Sequence, residues 1–247
     1  PNNERIVRGE TFQKQVGGAE LNVVSGVSLL GLRTGIISKL PDNALGTYAK
    51  NRVRFCGVSD DYLVYDEDPD ARLGIYYYEN GAYPRKPSVV YDRRHASFCK
   101  ITVEDLPEDM FASTRCFHTS GITLALSENT RENAVEMIKK FKENGAIISF
   151  DVNFRGNLWT GEEAKECIEK ILPYVDIFFC SEETAKLTFQ DEDHKVLVEG
   201  RDVAGSSVVQ SQDTREYEVE LHFDKRGTEK FAKATEDNLG RNIGIYM

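Results

Sequence analysis

The sequence has no apolar run of the length, about 20 residues, that a helix needs to cross a bilayer. It is also poor in cations, since 31 Lys and Arg stand against 41 Asp and Glu, for a formal net charge of −10. This balance argues against a nucleic-acid partner, because such binding depends on clusters of Lys and Arg that neutralise phosphates. We therefore expect neither a membrane span nor a nucleic-acid ligand.

The cysteines are odd in number and widely scattered, at Cys56, Cys99, Cys116, Cys167 and Cys180. They form no C-x-x-C pair and no Cys/His ligand spacing, so neither a disulfide framework nor a zinc site is predicted. Reduced thiols in a cytoplasmic protein are the simpler interpretation.

Up to Gln190, short apolar runs alternate with amphipathic segments. This alternation is typical of an α/β fold in which helices flank a mainly parallel sheet. The predicted strands are Thr34–Leu40, Arg115–Thr119, Ala146–Val152 and Val175–Cys180.

The helices predicted around these strands have clear start signals. Asp42 is expected to cap the helix whose inward face carries Leu45, Tyr48, Ala49 and Val53. Ser127 opens a helix that ends near Gly145, with an inward stripe of Ala134, Met137, Ile138 and Phe141. Thr160 and Glu163 form the capping box of a helix that presents Ala164, Cys167, Ile168 and Ile171, and Glu182–Phe189 is the next helix.

Two stretches depart from this alternation. Leu73–Phe98 contains two β-rich segments, dense in Tyr and Arg, that are separated by Asn80-Gly81, and it is expected to form an antiparallel lid over the sheet. After Gln190 a short α+β segment is predicted, with strands at Lys195–Val198, Ser206–Gln210, Tyr217–Phe223 and Asn242–Tyr246 and a helix at Arg226–Asn238.

Three motifs carry chemistry. Gly17-Gly18-Ala19-Glu20-Leu21-Asn22 precedes a small-residue helix, and paired glycines let a ligand approach the backbone closely. His118–Thr123 (HTSGIT) and Asp151–Trp159 (DVNFRGNLW) each follow a predicted strand, at the carboxyl edge where open α/β sheets bind ligands. Arginines beside such an edge favour an acidic ligand, because a guanidinium can bind a carboxylate with two hydrogen bonds.

Taken together, GGAELN, HTSGITLALS and DVNFRGNLW resemble the PfkB carbohydrate kinases, most closely the 2-keto-3-deoxygluconate kinases, over about residues 5–190. The resemblance implies a ribokinase-like (Rossmann-like) α/β domain over residues 1–190, with a β lid around 5–22 and 73–98. It also implies ATP-dependent phosphorylation of a keto-deoxy sugar acid, with ATP and magnesium as cofactors, and a possible homodimer through the lid.

Carried over residue by residue, the resemblance implies that the substrate is bound by Gly17, Gly18, Asn22, Tyr76, Tyr91, Arg93, Ile122 and Arg155. Tyr91 and Arg93 would hold the far end and the carboxylate of the sugar acid, and Arg155 would be the second arginine of that site. Taken alone, each arginine could equally be a surface residue or half of a salt bridge. His118 is interpreted as a core histidine with a hydrogen-bond partner.

The chain departs from the family pattern at several positions. His95-Ala96-Ser97 stands where the family has a Gly-Ser-Ala turn, and Ser181 and Thr184 replace the Asn and Glu of the Asn-x-x-Glu element associated with magnesium, so no metal ligand is assigned. No Gly-Ala-Gly-Asp motif occurs, and with it the family's general base is missing, so no catalytic residue is assigned and turnover is expected to be lost. Because the opening Pro1–Arg5 lacks a Met and the first strand is absent, we expect a truncated domain whose sequence begins inside a longer gene.

Residues 195–247 resemble something different, part of the extracytoplasmic domain of the protein translocase subunit SecD, through VLVEGRDVAGSSVVQ, YEVELHFDKRGTEKFAKATEDNLG and RNIGIYM. The two resemblances imply different compartments, so we hypothesise a chimeric reading frame joined near residues 190–195. A DNA read across the codons for Phe189 to Val198 would test this hypothesis. The alternative function is a non-catalytic sugar-binding or interaction module, or a fragment related to SecD protein translocation.

Overall fold

The computed structural model describes residues 4–189, 203–210 and 217–237. The helices are α1 (Ala19–Leu29), α2 (Ala44–Phe55), α3 (Glu108–Ser113), α4 (Gly121–Leu126), α5 (Glu128–Glu143), α6 (Gly161–Ile171), α7 (Glu182–Phe189) and α8 (Lys225–Asp237). The strands are β1 (Ser38–Pro41), β2 (Leu63–Asp66), β3 (Ile75–Glu79), β4 (Ser88–Asp92), β5 (Cys116–Ser120), β6 (Ile147–Asp151), β7 (Ile177–Phe179), β8 (Val203–Gln210) and β9 (Tyr217–Phe223).

Strands in the α/β part of the chain pair in parallel, as predicted. β1 pairs with β2, and β5 pairs with β6 in a three-stranded sheet of order β5-β6-β7. Within the β5–β6 register, Ser120 lies opposite Asp151, so both strands end at the same level. The loops that follow these two strands therefore emerge side by side at one edge of the sheet.

Two helices with predicted apolar stripes, α5 and α6, contribute buried side chains to the core of the α/β part. In α5, Ser127 accepts a hydrogen bond from the Thr130 N–H, and Gly145 lies just beyond the helix with a φ of 86°. In α6, Thr160 and Glu163 form the predicted capping box. All the predicted inward side chains of these two helices are buried: Ala134, Met137, Ile138, Phe141, Ala164, Cys167, Ile168 and Ile171.

The start of α2 differs from the prediction. Asn43, and not Asp42, is the N-cap residue, because its side-chain oxygen accepts hydrogen bonds from the backbone N–H groups of Leu45 and Gly46. Of the predicted inward side chains, Ala49 and Val53 are buried, Tyr48 is half-buried and Leu45 is 43% exposed, and Gly46 is also buried. Asp and Asn are both preferred N-cap residues, so the sequence could not choose between the two adjacent candidates.

The predicted lid is an antiparallel hairpin of β3 and β4, in which Tyr76 lies opposite Tyr91. Residues preceding α1 run along the hairpin without forming a strand. The Ile6 N–H donates to the Glu79 carboxylate over 2.8 Å, and the Phe12 and Tyr77 rings meet edge to face with centroids 5.4 Å apart. Both parts of the chain expected in the lid are therefore in contact.

The chain forms two compact units, Pro1–Ile177 and Phe178–Met247. In the second unit, β8 and β9 are antiparallel with Val208 opposite Val219, and α8 follows, in agreement with the strands and helix predicted there. The strands predicted at Lys195–Val198 and Asn242–Tyr246 lie outside the described residues, and the domain boundary near 190–195 stays a prediction. Within the described ranges, no helix has the length and apolar character to cross a membrane.

Candidate functional site

Two of the three motifs meet at the carboxyl edge of β5 and β6. Gly121 and Ile122 begin α4 directly after β5, and Ile122 is half-buried. After β6 the chain turns sharply, since the Asn153 N–H donates to the Asp151 carboxylate over 3.0 Å and Asn153 has a φ of 37°. This turn leads directly to Arg155, whose side chain is exposed.

The third motif lies against the lid. Gly18 is the N-cap residue of α1, and Asn22 is exposed in the first turn of that helix. A Cβ atom placed on Gly17 would lie 2.6 Å from the hydroxyl oxygen of Tyr76. Any residue other than glycine at position 17 would therefore force the Tyr76 side chain to move. The structure thus brings Gly17, from the start of the chain, next to Tyr76 of β3.

Aromatic and cationic side chains of the lid form a continuous group. The Tyr76 and Tyr91 rings have centroids 6.2 Å apart, and the Arg93 guanidinium carbon lies 4.2 Å from the centroid of the Tyr91 ring. Tyr76 and Tyr91 are 50% and 41% exposed, so both offer free ring surface to a ligand. An arginine held over an aromatic face keeps its planar fork available for a second interaction.

Arg93 carries the clearest electrostatic signal of the site. Its Nη2 atom is buried and has no hydrogen-bond acceptor among the residues that the structure describes. Burial lowers the pKa of the Arg93 guanidinium, and the positive charge of Arg155 lowers this pKa further. A buried donor without an acceptor is unfavourable by itself, and an anion that binds there would provide the missing acceptor.

The second arginine, Arg155, makes a hydrogen bond within its own loop. The Nη1 atom of Arg155 donates to the carbonyl oxygen of Phe154 over 2.9 Å, and the side chain remains exposed. Its positive charge contributes to lowering the pKa of Arg93 in the lid. These two arginines are the pair that the sequence selects for a carboxylate.

The structure adds Glu20, which the sequence analysis did not select. Its Oε1 atom accepts hydrogen bonds from Ser120 Oγ, over 2.7 Å, and from Thr123 Oγ1, over 3.0 Å. The partners are about a hundred residues away in the sequence, and Glu20 at the start of a helix suggests no more than an interaction with the helix dipole. Its role could not be found without the fold.

His118 has the environment predicted for it. It is half-buried in β5, and its Nδ1 atom lies 2.9 Å from Ser149 Oγ in β6. Burial lowers the pKa of His118, although the negative charges of Glu20 and Asp151 act in the opposite direction. A neutral imidazole bonded to a serine contributes to packing and offers no fixed charge to a ligand.

The positions that depart from the family pattern do not offer the expected ligands. Ser97 is 1% exposed, so its hydroxyl does not face open solvent. Ser181 Oγ donates to Thr184 Oγ1 over 2.8 Å, and the Thr184 N–H donates back to Ser181 Oγ. These neutral hydroxyls satisfy each other and do not fit magnesium, which prefers carboxylate and phosphate oxygens.

The chain belongs to the family of pfkB carbohydrate kinases, whose profile matches residues 2–209. A second profile, for the P1 head subdomain of SecDF, matches residues 177–247. The sequence predicts both resemblances. The ribokinase-like fold of this chain is shared with other pfkB carbohydrate kinases.

The relatives of this chain include several sugar-acid kinases. A 2-dehydro-3-deoxygalactonokinase of Haloferax volcanii is 37% identical over 182 residues, which cover 74% of this chain and 56% of the relative. The crystal structure of a 2-dehydro-3-deoxygluconokinase from Thermotoga maritima superposes with a TM-score of 0.74 at 30% identity, over 96% of this chain and 64% of the other.

A more distant structure has the same fold. A sugar kinase from Pyrococcus horikoshii in complex with ATP superposes with a TM-score of 0.68 at 24% identity, over 90% of this chain and 69% of the other. The chain spans about half the length of the curated relatives it matches, 56% and 52% for two of them.

Proposed function

We propose that this chain is the substrate-binding part of a kinase for keto-deoxy sugar acids of the 2-keto-3-deoxygluconate type. The observation that carries the proposal is the buried Nη2 atom of Arg93, which has no hydrogen-bond partner among the described residues, and the positive charge of Arg155 helps to lower the pKa of Arg93. A carboxylate placed between the two would receive the missing hydrogen bond and relieve the repulsion between the two positive charges.

The neutral part of the site suits a sugar. Tyr76 and Tyr91 present half-exposed rings, Gly17 and Gly18 give access to the backbone, and Asn22 offers one donor and one acceptor. In this proposal these residues, with Ile122, contact the body of the sugar, and the arginines bind its acidic end. The relatives named as 2-dehydro-3-deoxygalactonokinase and 2-dehydro-3-deoxygluconokinase support an acidic sugar as the ligand.

The parent reaction would transfer the γ-phosphoryl group of ATP to a sugar hydroxyl. The residues of this chain would bind and orient the sugar, and the sequence contains no Gly-Ala-Gly-Asp segment to provide the family's general base. We infer that the chain binds the sugar acid and does not turn it over. The lid-mediated dimer, the use of ATP with magnesium and a cytoplasmic location stay predictions from the resemblance.

Ligand-induced stabilisation tests the binding proposal. A ligand that binds only the folded state raises the free energy of unfolding by RT ln(1 + [L]/Kd), so 2-keto-3-deoxygluconate at about 100 times Kd should add about 2.7 kcal/mol. Arg93→Ala and Arg155→Ala should each abolish most of this gain. Arg94→Ala is the matched control, because Arg94 is exposed, adjacent in sequence and equally charged.

The second candidate function is a non-catalytic module related to SecD, which is supported by the SecDF match over residues 177–247. This candidate predicts no stabilisation by any sugar acid. It also predicts that Arg155→Ala behaves like the wild type in the presence of 2-keto-3-deoxygluconate. Equal stabilisation of the wild type by uncharged sugars would contradict the role of the arginines and leave only a general sugar site.

A further inference from the structure

Glu20 joins two parts of the site that are far apart in the sequence. It lies in the first turn of α1, two residues after Gly18 and two before Asn22. Its two hydrogen-bond donors, Ser120 and Thr123, lie on either side of Ile122, at the end of β5 and in α4. One carboxylate oxygen therefore connects the glycine motif to the end of β5 and to α4, the helix that contains Ile122.

The burial of Ser120 makes this connection strong. Ser120 is 0% exposed and occupies the N-cap position of α4, yet its side chain makes no capping hydrogen bond. Its hydroxyl donates to Glu20 Oε1 over 2.7 Å instead. A buried hydroxyl that lost this acceptor would be left without a hydrogen bond, which is unfavourable whether or not the acceptor is charged.

The hydrogen bonds of Glu20 distinguish it from a carboxylate that only interacts with the dipole of its own helix. A carboxylate in the first turn of a helix can stabilise that helix through its dipole alone, and for this only the charge matters. Here both hydrogen bonds go to another element, and both go to the same oxygen, Oε1. Such an arrangement depends on the length of the side chain and on an acceptor oxygen, and only secondarily on the charge.

We propose that Glu20 is a positioning residue of the sugar site. It fixes the distance between the Gly17-Gly18-Asn22 segment and Ile122, so that one ligand meets both at once. This inference rests on the proposed function, since it assumes that the two segments bind the same sugar acid. Glu20 itself acts through Ser120 and Thr123 and needs no contact with the ligand.

Three substitutions of Glu20 separate position from charge. Glu20→Gln keeps an acceptor oxygen at the same reach and removes the charge, whereas Glu20→Asp keeps the charge and shortens the side chain by one methylene. Glu20→Ala removes both. A positioning role predicts that Kd for 2-keto-3-deoxygluconate, measured by calorimetry, rises by about tenfold in the Ala and Asp variants and stays within about twofold in the Gln variant.

A double variant tests whether Glu20 acts through its hydroxyl partners. Thr123→Val removes one donor with little change of shape and should weaken binding less than Glu20→Ala. Because the residues form one unit, Glu20→Ala combined with Thr123→Val should bind no more weakly than Glu20→Ala alone. The free energy of unfolding without ligand is measured for each variant, so that a loss of folding is not taken for a loss of affinity.

Each outcome supports or overturns the inference. If Glu20→Asp bound 2-keto-3-deoxygluconate normally and Glu20→Gln did not, the positioning role would be overturned, because the charge of Glu20 would be what matters. Wild-type affinity in all three folded variants would overturn it and leave the proposed sugar site intact. A wild-type chain that does not bind 2-keto-3-deoxygluconate would overturn the proposed function itself, and this inference with it.

Discussion

His118 gives the first testable consequence at the scale of single residues. Burial lowers the pKa of this imidazole below its ordinary 6.5. As the pH falls below 6.5, the unfolded chain takes up a proton that the folded protein resists, so the free energy of unfolding decreases. The decrease ends once the pH is below the pKa of the folded state. In His118→Asn, this contribution should be missing, and the stability should depend less on pH as the pH falls below 6.5.

Urea denaturation at several pH values measures this effect. The other three histidines are common to both proteins, so the difference between the two pH profiles isolates His118. Parallel profiles would contradict the prediction. A variant that loses more stability at low pH than the wild type would reverse the sign and indicate a charged His118 in the folded state, held by Glu20 and Asp151.

Single residues differ in how far they could be predicted. The sequence selects Tyr91, Arg93 and Arg155 because arginines near a strand end suggest an anion site, and in the structure the Arg93 guanidinium lies over the Tyr91 ring. Glu20 could not be selected, because its meaning depends on Ser120 and Thr123, which only the fold places beside it. Side chains that bind a ligand through their charge can be predicted from their residue type and position, whereas side chains that connect distant elements cannot.

At the scale of elements, periodic stripes were the most reliable signal. The helices α5 and α6 bury all the side chains that their 3.6-residue period selects. The start of α2 was wrong by one residue, because Asp42 and Asn43 are both good caps. Strand β1 is shorter than predicted, since Gly35 forms an isolated bridge with Ser59 outside the strand. The ends of elements were thus harder to predict than their buried faces.

Two helical glycines provide a matched pair of predictions for the packing of elements. Gly26 lies inside α1 with no atom within 4 Å of an added Cβ, so Gly26→Ala should stabilise the protein by about 0.5–1 kcal/mol through helix propensity. A Cβ on Gly121, at the start of α4, would lie 2.1 Å from the carbonyl oxygen of Val152. Gly121→Ala should therefore destabilise by about 1–3 kcal/mol, because the backbone after β6 must move.

Fluorescence of the single tryptophan, Trp159, reports unfolding in both variants. The same Gly-to-Ala change at two helical sites cancels most effects on the unfolded chain, so the opposite signs test the packing itself. A Gly121→Ala protein as stable as the wild type would mean that α4 does not lie against the chain after β6. In that case the proposed sugar site would lose the packing of α4 against the chain after β6, on which it depends.

At the scale of the whole molecule, the two families overlap along the chain. The pfkB match covers residues 2–209 and the SecDF match covers residues 177–247, so residues 177–209 are common to both. The second match begins where the chain divides into compact units, between Ile177 and Phe178. The sequence predicted both resemblances, because each depends on local motifs. The boundary that the sequence predicts near residues 190–195 lies outside the described residues and stays a prediction.

The last prediction concerns turnover by the whole chain. General base catalysis contributes about 10²- to 10⁴-fold, and the sequence contains no Gly-Ala-Gly-Asp segment to provide the base that the resemblance implies. A coupled assay with ATP, magnesium and 2-keto-3-deoxygluconate should therefore detect ADP release at least about 100-fold slower than that of the Bacillus subtilis 2-dehydro-3-deoxygluconokinase. Binding of the sugar acid should persist in the same preparation, because the arginine pair and the lid are present.

Rapid ADP release that requires the sugar acid and disappears in Arg155→Ala would contradict this prediction and would require a base elsewhere in the chain. Neither binding nor release would instead favour the module related to SecD.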